Sequence, residues 1–575
     1  MNYLSVYTEL VNNVQNIKLL FSLNNRRYNM CRSPADPVGK TLKRIGVSVQ
    51  KSIKKEGDLG GKEAEKQEAL NDIPVALFYP NGEMVDSELA NQVAWKESNV
   101  LNIGDSRFLV EENTPLVDNA KIPSVIMAGF PVVPVVKLKF ADRENSLFKW
   151  FKSRADGSNP SSTQVEEKEA SWIEIGQGFI YIPKIADIGC FLKMSCKAAG
   201  GVGKTAHTWF DVTSTCEVTP GPGDTPYDKR HLSTAKPTSD PRIFRFISYN
   251  ILADCYIEDE TFRNTWFGYC PKYCLESDYR QQLVLKEIEG YNGDIICLQE
   301  CGRRLFENHL NPMMTSLGYG GSVKYKSGVM PEGGAIFFRK SKFTLIKQDN
   351  FLLSESFTND ACNNELLKRV QEAKFFYEKL MSRTTVGQII ILQSVQCPQN
   401  YICVVNVHLY FNPDTPFIRN LQTMIMLNVL KKTMENLDLE LKQNDGGRHQ
   451  VGVVFCGDLN SLPDSGVVQL LSSGELPDSH PDWNLPGEKP EHNHLEMMPY
   501  SHKFGLQNCC GFPEYTNYTE GFIGLLDYIF SSKKFFDVES NIPIPSTEEV
   551  QLYTALPSPV LPSDHVALVC DLKWK

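Results

Sequence analysis

The stretch Val451-Gly-Val-Val-Phe-Cys-Gly-Asp-Leu-Asn-Ser461 ends an apolar run on a carboxylate and a carboxamide, Asp458 and Asn460, with one residue between them. Such groups are costly to place at the mouth of a buried strand for structure alone. Their spacing lets both side chains reach one phosphate or one metal ion. Gly, Asp and Asn are also turn residues, so this stretch taken by itself leaves a plain turn open. Five further apolar runs carry polar groups at one end. Residues 242–249 run into Asn250, 294–298 into Gln299-Glu300, and 401–407 into His408. Leu525-Leu526 leads into Asp527, and Asp564-His565 opens the final run 566–571. Six such ends are hard to obtain as six unrelated turns. Gathered on one rim, they would form a single site. Oxygen donors with His and without Cys favour Mg²⁺ or Mn²⁺ over Zn²⁺. That set suits phosphoryl chemistry, in which cation and imidazoles neutralise phosphate oxygens and a carboxylate orients water.

Positioning six strand ends requires a large core. The chain has 575 residues, enough for two to four domains. Residues 241–575 alternate strand-like and helix-like patterns, which predicts a catalytic domain of mixed α and β structure. Residues 73–216 are short β-branched and aromatic runs with a hairpin signal at Asn81-Gly82. They predict an all-β sandwich, loosely immunoglobulin-like, with 147–152 as its core tryptophan strand and 187–196 packed over it. Residues 217–240 are rich in Pro, Gly, Ser and Thr and read as a linker, and the charged stretch 33–72 reads as another. In residues 1–32 a single acid, Glu9, stands against Lys18, Arg26, Arg27 and Arg32, and Leu4, Leu10, Val14, Ile17 and Phe21 recur near helical spacing. That is the pattern of a mitochondrial presequence. Gly200-Gly-Val-Gly-Lys-Thr205 imitates a phosphate-binding loop, but Ala198 stands where the motif needs Gly, so a hairpin turn is expected.

Composition narrows the function. A net charge of −10 argues against a protein that coats nucleic acid, though not against a nucleic-acid enzyme with metals in its site. Sixteen scattered Cys without tight pairs read as free thiols in a reducing compartment. No apolar run is long enough to span a membrane.

The ordered set Asn250, Leu298-Gln-Glu300, His408-Leu409, Gly457-Asp458-Leu459-Asn460, Asp527-Tyr-Ile529 and Ser563-Asp-His565 resembles the endonuclease/exonuclease/phosphatase superfamily. Ser248–Asp254, Asp278-Tyr-Arg280, 334–343, Asn406–Tyr410 and Tyr515–Tyr518 are similar to its deadenylase branch. The β-domain in front, Gly521-Phe522 and the ending 561–575 look most like the mitochondrial 2′,5′-phosphodiesterases of that branch. The resemblance implies an α+β chain whose residues 241–575 form a DNase I-like four-layered α/β sandwich. It implies a Mg²⁺- or Mn²⁺-dependent enzyme, with one or two ions, that hydrolyses 2′,5′-oligoadenylate and poly(A) to 5′-AMP in the mitochondrial matrix. RNA is then the partner, with no membrane and no stable protein partner implied. A cytoplasmic mRNA poly(A) deadenylase is the alternative.

Roles follow from the same resemblance. Glu300 is expected to be the main metal ligand and Asn250 to support it. Asp458 is expected as the water-orienting base or a further metal ligand, and Asn460 as a partner of phosphate or metal. His565 should donate to the phosphate, with Asp564 fixing its tautomer. His408 should bind non-bridging oxygens from the other side, and Asp527 is either a supporting partner or another metal ligand. Phe522 is expected to stack on adenine opposite Pro413, unless it is a loop side chain tucked into the core. The chain departs from the deadenylase pattern at Phe411-Asn412-Pro413, where Trp-His-Pro is usual, which puts the contacts to the base in question.

Overall fold

Alternation along each strand explains the unbroken apolar runs of the C-terminal region. In a strand of residues 400–408, Ile402 and Val404 face one core, while Cys403, Val405 and Val407 face another. Buried on both sides, such a strand carries no polar face and reads as continuous hydrophobicity. The structure is a computed structural model and describes residues 2–11, 14–24, 26–57, 73–153, 172–201, 203–328, 331–445, 449–484 and 499–575. The chain divides into two units, residues 1–120, 136–150 and 194–212, and residues 121–135, 151–193 and 213–575.

The first unit is built on a six-stranded sheet. Its strands are β1 (Asn2–Val11), β2 (Val14–Leu23), β3 (Arg26–Arg32), β4 (Val75–Phe78), β5 (Val100–Ile103) and β6 (Ser106–Glu112), in the order β3-β2-β1-β6-β5-β4. Strands β1 and β6 run parallel, Tyr3 opposite Leu109, and the other pairs are antiparallel. The helix α1 (Val38–Gly57) lays Val38, Leu42, Ile45 and Val49 on a core that holds Leu4, Val6, Ile17, Leu19, Phe21 and Phe108.

This corrects the presequence reading. The buried positions of residues 2–32 are Leu4 and Val6, then Ile17, Leu19 and Phe21, which is a period of two. Leu10 and Val14, which completed the helical spacing, are exposed at the hairpin end. Asn2–Val11, Val14–Leu23 and Arg26–Arg32 are thus three strands of a sheet and not the amphipathic helix that the presequence reading implies. The first half of the expected 33–72 linker is α1, and residues 58–72 lie outside the described residues.

The next strands are β7 (Leu116–Lys121), β8 (Val135–Lys139), β9 (Asp142–Ser153), β10 (Trp172–Gln177), β11 (Phe191–Ala199) and β12 (Phe210–Glu217). Strands β7 and β8 pair, and the other four form a sheet in the order β10-β9-β11-β12. The β-rich region thus starts near residue 116, because β4 to β6 complete the first sheet. Strands β9 and β11, which carry the two segments expected to face each other across a sandwich, are instead hydrogen-bonded neighbours in one sheet. Residues 199–205 make the expected hairpin turn, with Ala199 bridging Thr205.

The 217–240 segment is also ordered. Pro226–Thr234 is a helix with Pro at its start and a capping box between Thr225 and Asp228. Its Tyr227 is fully buried and its buried Arg230 donates to the carbonyl of Ala567 at 2.7 Å.

The catalytic part of the second unit is two facing six-stranded sheets. The first contains β13 (Ile243–Asn250), β14 (Ile295–Gly302), β15 (Tyr319–Tyr325) and β16 (Glu332–Arg339). The second contains β17 (Phe343–Leu352), β18 (Val386–Ser394), β19 (Asn400–His408) and β20 (Gln450–Asp458). Short strands β21 (Glu475–Leu476), β22 (Tyr500–Ser501), β23 (Leu506–Asn508), β24 (Asn517–Tyr518) and β25 (Ile523–Gly524) follow. The last are β26 (Asp527–Ser532), β27 (Phe536–Asn541) and β28 (Leu568–Trp574). The sheet orders are β15-β16-β14-β13-β28-β27 and β17-β18-β19-β20-β26-β23.

Phe246, Ile295 and Ile336 of the first sheet meet Ile390, Val404 and Val454 of the second in one core. The helix Pro416–Asp445 covers the far face of the second sheet through Phe417, Leu421, Met424 and Ile425. The helix Ser277–Gly290 covers the far face of the first, where the Tyr249 hydroxyl donates to Glu287 at 2.9 Å. The four layers are helix, sheet, sheet, helix, and with the sheet-and-helix first unit the chain is α+β, as expected.

Candidate active site

Register brings the strand ends together. In the second sheet β19 and β20 run parallel and end side by side, His408 opposite Asp458. Strand β26 runs antiparallel to β20 and begins at Asp527, opposite Asp458. In the first sheet β13 and β14 run parallel, Asn250 opposite Gln299. Parallel strands therefore contribute their last residues and antiparallel strands their first, all to one edge of the sandwich.

Two backbone features aim the carboxylates. Strand β14 loses register between Leu298 and Cys301, and Glu300 within that bulge has φ +54°. A bulge turns a side chain away from the regular pleat. Gly457 has φ +144°, and a Cβ there would stand 1.8 Å from the Val407 carbonyl oxygen. Only glycine fits. Gly457→Ala is expected to lose at least about 3 kcal/mol of stability, because backbone must move. A denaturant midpoint equal to that of the parent would contradict this.

Asn250 ties the two sheets. Its amide nitrogen donates to Glu300 at 3.1 Å and to Asp458 at 2.9 Å, while its oxygen accepts from the Leu252 N–H. The other Glu300 oxygen accepts from the Ala253 N–H at 2.9 Å. The other Asp458 oxygen accepts from the Asn460 N–H at 2.9 Å, with Asn460 in the left-handed region at φ +47°. The Asn460 amide donates to the Leu409 carbonyl at 2.9 Å, which leaves the carboxamide oxygen and one N–H for phosphate or metal-bound water. The Nε2 atoms of His408 and His565 stand 3.5 Å and 3.6 Å from the same Asp458 oxygen.

The partner of His565 differs from the expected one. Its Nδ1 lies 2.7 Å from Asp527, not Asp564. Asp564 accepts from the Asn517 amide at 3.1 Å. Asp564 is nevertheless placed close by, and it helps hold the segment before β28 that carries His565. Asp527 itself is fixed by the Thr516 hydroxyl, which accepts from the Asp527 N–H at 3.0 Å.

Electrostatics follow from this crowding of buried groups. Burial, with Glu332 and Asp564 nearby, pushes Glu300 up to about 7. Burial and the Asp527 charge push Asp458 up to about 7, against the pull of His565 and Asn250. Burial opposes charge on His565, but Asp527, Asp564 and Asp458 together hold it well above the ordinary imidazole range. His408 moves the other way, well below that range, through burial and then the charges of Lys326 and His565. One imidazole is thus a proton donor and the other neutral.

A divalent cation fits these residues. Asp458, Asp527 and His565 offer ligand atoms within 4.8 Å of one another. Asp527 Oδ1 is buried without a hydrogen-bond partner, and the raised Asp458 and Glu300 mark a surplus of negative charge. A cation would relieve all three. Asn250 with Glu300 forms the other wall of the same acidic group.

Phe522 is 37% exposed, so it is not tucked into the core. Its N–H donates to the Thr519 hydroxyl at 3.0 Å, and its ring packs where a side chain on Gly524 would be. Pro413 is exposed in the loop after β19, where the Asn412 carbonyl accepts from Arg419 at 2.7 Å.

The sequence reading missed Glu332, Thr516 and the function of Arg280. Glu332 is fully buried, pairs with Lys326, and accepts from the Tyr256 hydroxyl at 3.1 Å. It opens β16, which is antiparallel to β14, so it lies at the site edge opposite Gly302. The signal was a polar residue at the start of an apolar run, the place where Asp527 was found. Arg280 is buried, donates to the carbonyls of Leu252 and Pro562, and pairs with Asp254 at 3.1 Å. With the Ser563 hydroxyl on the Asn250 carbonyl at 2.7 Å, it holds the loop before His565 against the end of β13.

Comparison with known proteins agrees with this architecture. Residues 114–219 match the "2′,5′-phosphodiesterase 12-like, N-terminal domain", and residues 413–565 match the "Endonuclease/Exonuclease/phosphatase family". The chain is 38% identical over 581 residues to human 2′,5′-phosphodiesterase 12, covering 97% of this chain and 92% of that protein. The mouse protein of the same name gives the same identity and coverage. Carbon catabolite repressor protein 4 homolog 1 of Arabidopsis thaliana is 28% identical over 447 residues, 70% of each chain. The chain belongs to the 2′,5′-phosphodiesterase 12 family of endonuclease/exonuclease/phosphatase hydrolases.

Proposed function

We propose that this chain is a Mg²⁺-dependent phosphodiesterase that hydrolyses 2′,5′-linked oligoadenylate, and also trims 3′,5′-linked poly(A) from the 3′ end, releasing 5′-AMP. The observation that carries the reading is the Asp527–His565 pair aimed at Asp458, with Asn250 and Glu300 on the other side. The relatives' name supplies the 2′,5′ linkage.

Glu300, supported by Asn250, would hold Mg²⁺, which when bound neutralises charge on the phosphate oxygens. Asp458, held by the Asn250 amide and the Asn460 N–H, orients the attacking water and takes its proton. His565, kept charged by Asp527, donates to the phosphate as negative charge builds. Neutral His408 donates one N–H to a non-bridging oxygen. The Asn460 oxygen orients water from the β20 side. Phe522 and Pro413 present stacking surfaces for the adenine of the departing nucleotide.

Purified protein incubated with 2′,5′-oligoadenylate, 3′,5′-oligo(A) and oligo(U) should release 5′-AMP from the adenylates with Mg²⁺, with Mn²⁺ substituting, and none with EDTA. Inert adenylates under Mg²⁺ would sink the proposal. Cleavage of 3′,5′-oligo(A) alone would favour a poly(A) deadenylase instead.

A mitochondrial matrix location is also proposed, on the resemblance of the sequence to the mitochondrial 2′,5′-phosphodiesterases and not on Asn2–Val11, Val14–Leu23 and Arg26–Arg32, which are strands. No helix among the described residues is long and apolar enough to cross a membrane. Fractionation followed by N-terminal sequencing should find the protein in the matrix with residues 2–32 retained. A matrix form lacking them would contradict their structural role, and absence from the matrix would remove the location.

A further inference from the structure

One aromatic series near the site has no part in the proposed chemistry. The helix Glu260–Trp266 ends on Trp266, whose indole is 47% exposed. It packs on Phe262, with ring centroids 6.0 Å apart and 32° between planes. Phe262 in turn packs on Tyr256, at 5.8 Å and 35°. The Tyr256 hydroxyl donates to the buried Glu332, a neighbour whose charge bears on Glu300. The series therefore starts in the acidic cluster and climbs to the surface.

Its outer end returns to the site by another route. A Cβ on Gly521 would stand 3.9 Å from Trp266 Cζ3, so the indole borders the loop that presents Phe522. That loop continues into β25, which pairs with β24, and Asn517 of β24 bridges His565. Both neighbours of the indole are thus anchored to the catalytic groups. A single half-exposed aromatic is ordinary. A tryptophan backed by two rings in tilted contact and set beside another exposed phenylalanine is a supported wall, with less rotamer freedom to lose on binding a flat ligand.

We propose that Trp266 is a second base-stacking platform, taking the adenine of the nucleotide adjoining the one that Phe522 receives. This rests on the oligoadenylate reading and makes the enzyme sensitive to the base on each side of the cleaved bond. Stacking on an aromatic side chain contributes about 1–3 kcal/mol per base, which is about 5- to 150-fold in kcat/KM.

The test uses the full chain with Mg²⁺, adenylate dimers, and two dimers in which one or the other base is replaced by hydrogen. Trp266→Ala should reduce kcat/KM on the intact dimer at least about fivefold, mainly through KM, and Trp266→Phe should restore most of it. With one of the two base-lacking dimers the parent should suffer the same loss, and Trp266→Ala should then cost nothing further. The proposal is overturned if the two losses multiply for both dimers, or if Trp266→Ala leaves KM unchanged. An inactive parent would instead defeat the underlying activity, so the two failures are separable.

Discussion

Asp458→Asn should lower kcat by about 10³-fold or more while leaving the protein close to the parent in stability. Asparagine keeps the size of the side chain, but its one oxygen can accept from the Asn250 amide or from the Asn460 N–H, and its NH₂ then faces the other donor. It cannot take a proton from water, and it brings no negative charge toward a cation. The stability half of the expectation comes from the raised Asp458. A carboxyl whose folded value is about 7, against an ordinary 3.8, pays for its ionisation in the fold. Below its ordinary value the group is protonated in both states and costs nothing. The cost appears as pH rises through 3.8 and is complete above about 7. Removing the charge removes that cost and offsets the donor–donor contact, so the melting temperature in metal-free buffer at pH 7 should stay within a few degrees of the parent's. Single-turnover rates and melting curves on one preparation check both halves. A lost rate with a lowered melting temperature would mean that Asp458 is structural, and an unchanged rate would remove it from the chemistry.

Asp527→Asn and Asp564→Asn should separate sharply, although the two carboxylates flank the same histidine. Asp527 accepts from His565 Nδ1 at 2.7 Å and holds its charge, whereas Asp564 is engaged with Asn517. Asp527→Asn is expected to cost about 10²- to 10⁴-fold in kcat, the range for disabling a positioned acid. Asp564→Asn should cost no more than about tenfold. The pH profile supplies a second readout. His565 acts while protonated, so activity falls on the alkaline side as pH rises through its raised value. Without the Asp527 charge that value drops, and the alkaline limb should move down by at least about one pH unit. Equal losses in the two variants, or an alkaline limb that stays in place in Asp527→Asn, would return the role to Asp564.

Much of the site was legible because its chemistry is written at strand ends. Asn250, Glu300, His408, Asp458 and Asp527 each interrupt an apolar run, and burial makes such an interruption expensive unless it is used. The layered catalytic domain was legible for a related reason, since strands covered on both faces keep no polar alternation. Types and order along the chain thus determined the residues, the oxygen-and-imidazole donor set and the phosphoryl chemistry. The N-terminus was not legible, because Leu4, Leu10, Val14, Ile17 and Phe21 satisfy a helical spacing while the buried set follows a strand period. Partners across the sheets decide between such periods, and they lie far off in the chain, as Tyr3 opposite Leu109 shows.

Tertiary structure alone decided the wiring. Asp564 is one residue from His565 and Asp527 is thirty-eight away, yet neighbouring side chains on an extended backbone point apart. Register across β20, β26 and the loop before β28 brings Asp527 to the imidazole instead. The pairing of β16 with β14 in the first sheet delivers Glu332 to the same edge, opposite Gly302. For Gly457-Asp458-Leu459-Asn460 the sequence determined a turn carrying two chemical groups. Packing determined that its glycine must clear the Val407 carbonyl, that Asp458 faces two imidazoles and an amide, and that the Asn460 amide is tied to the Leu409 carbonyl.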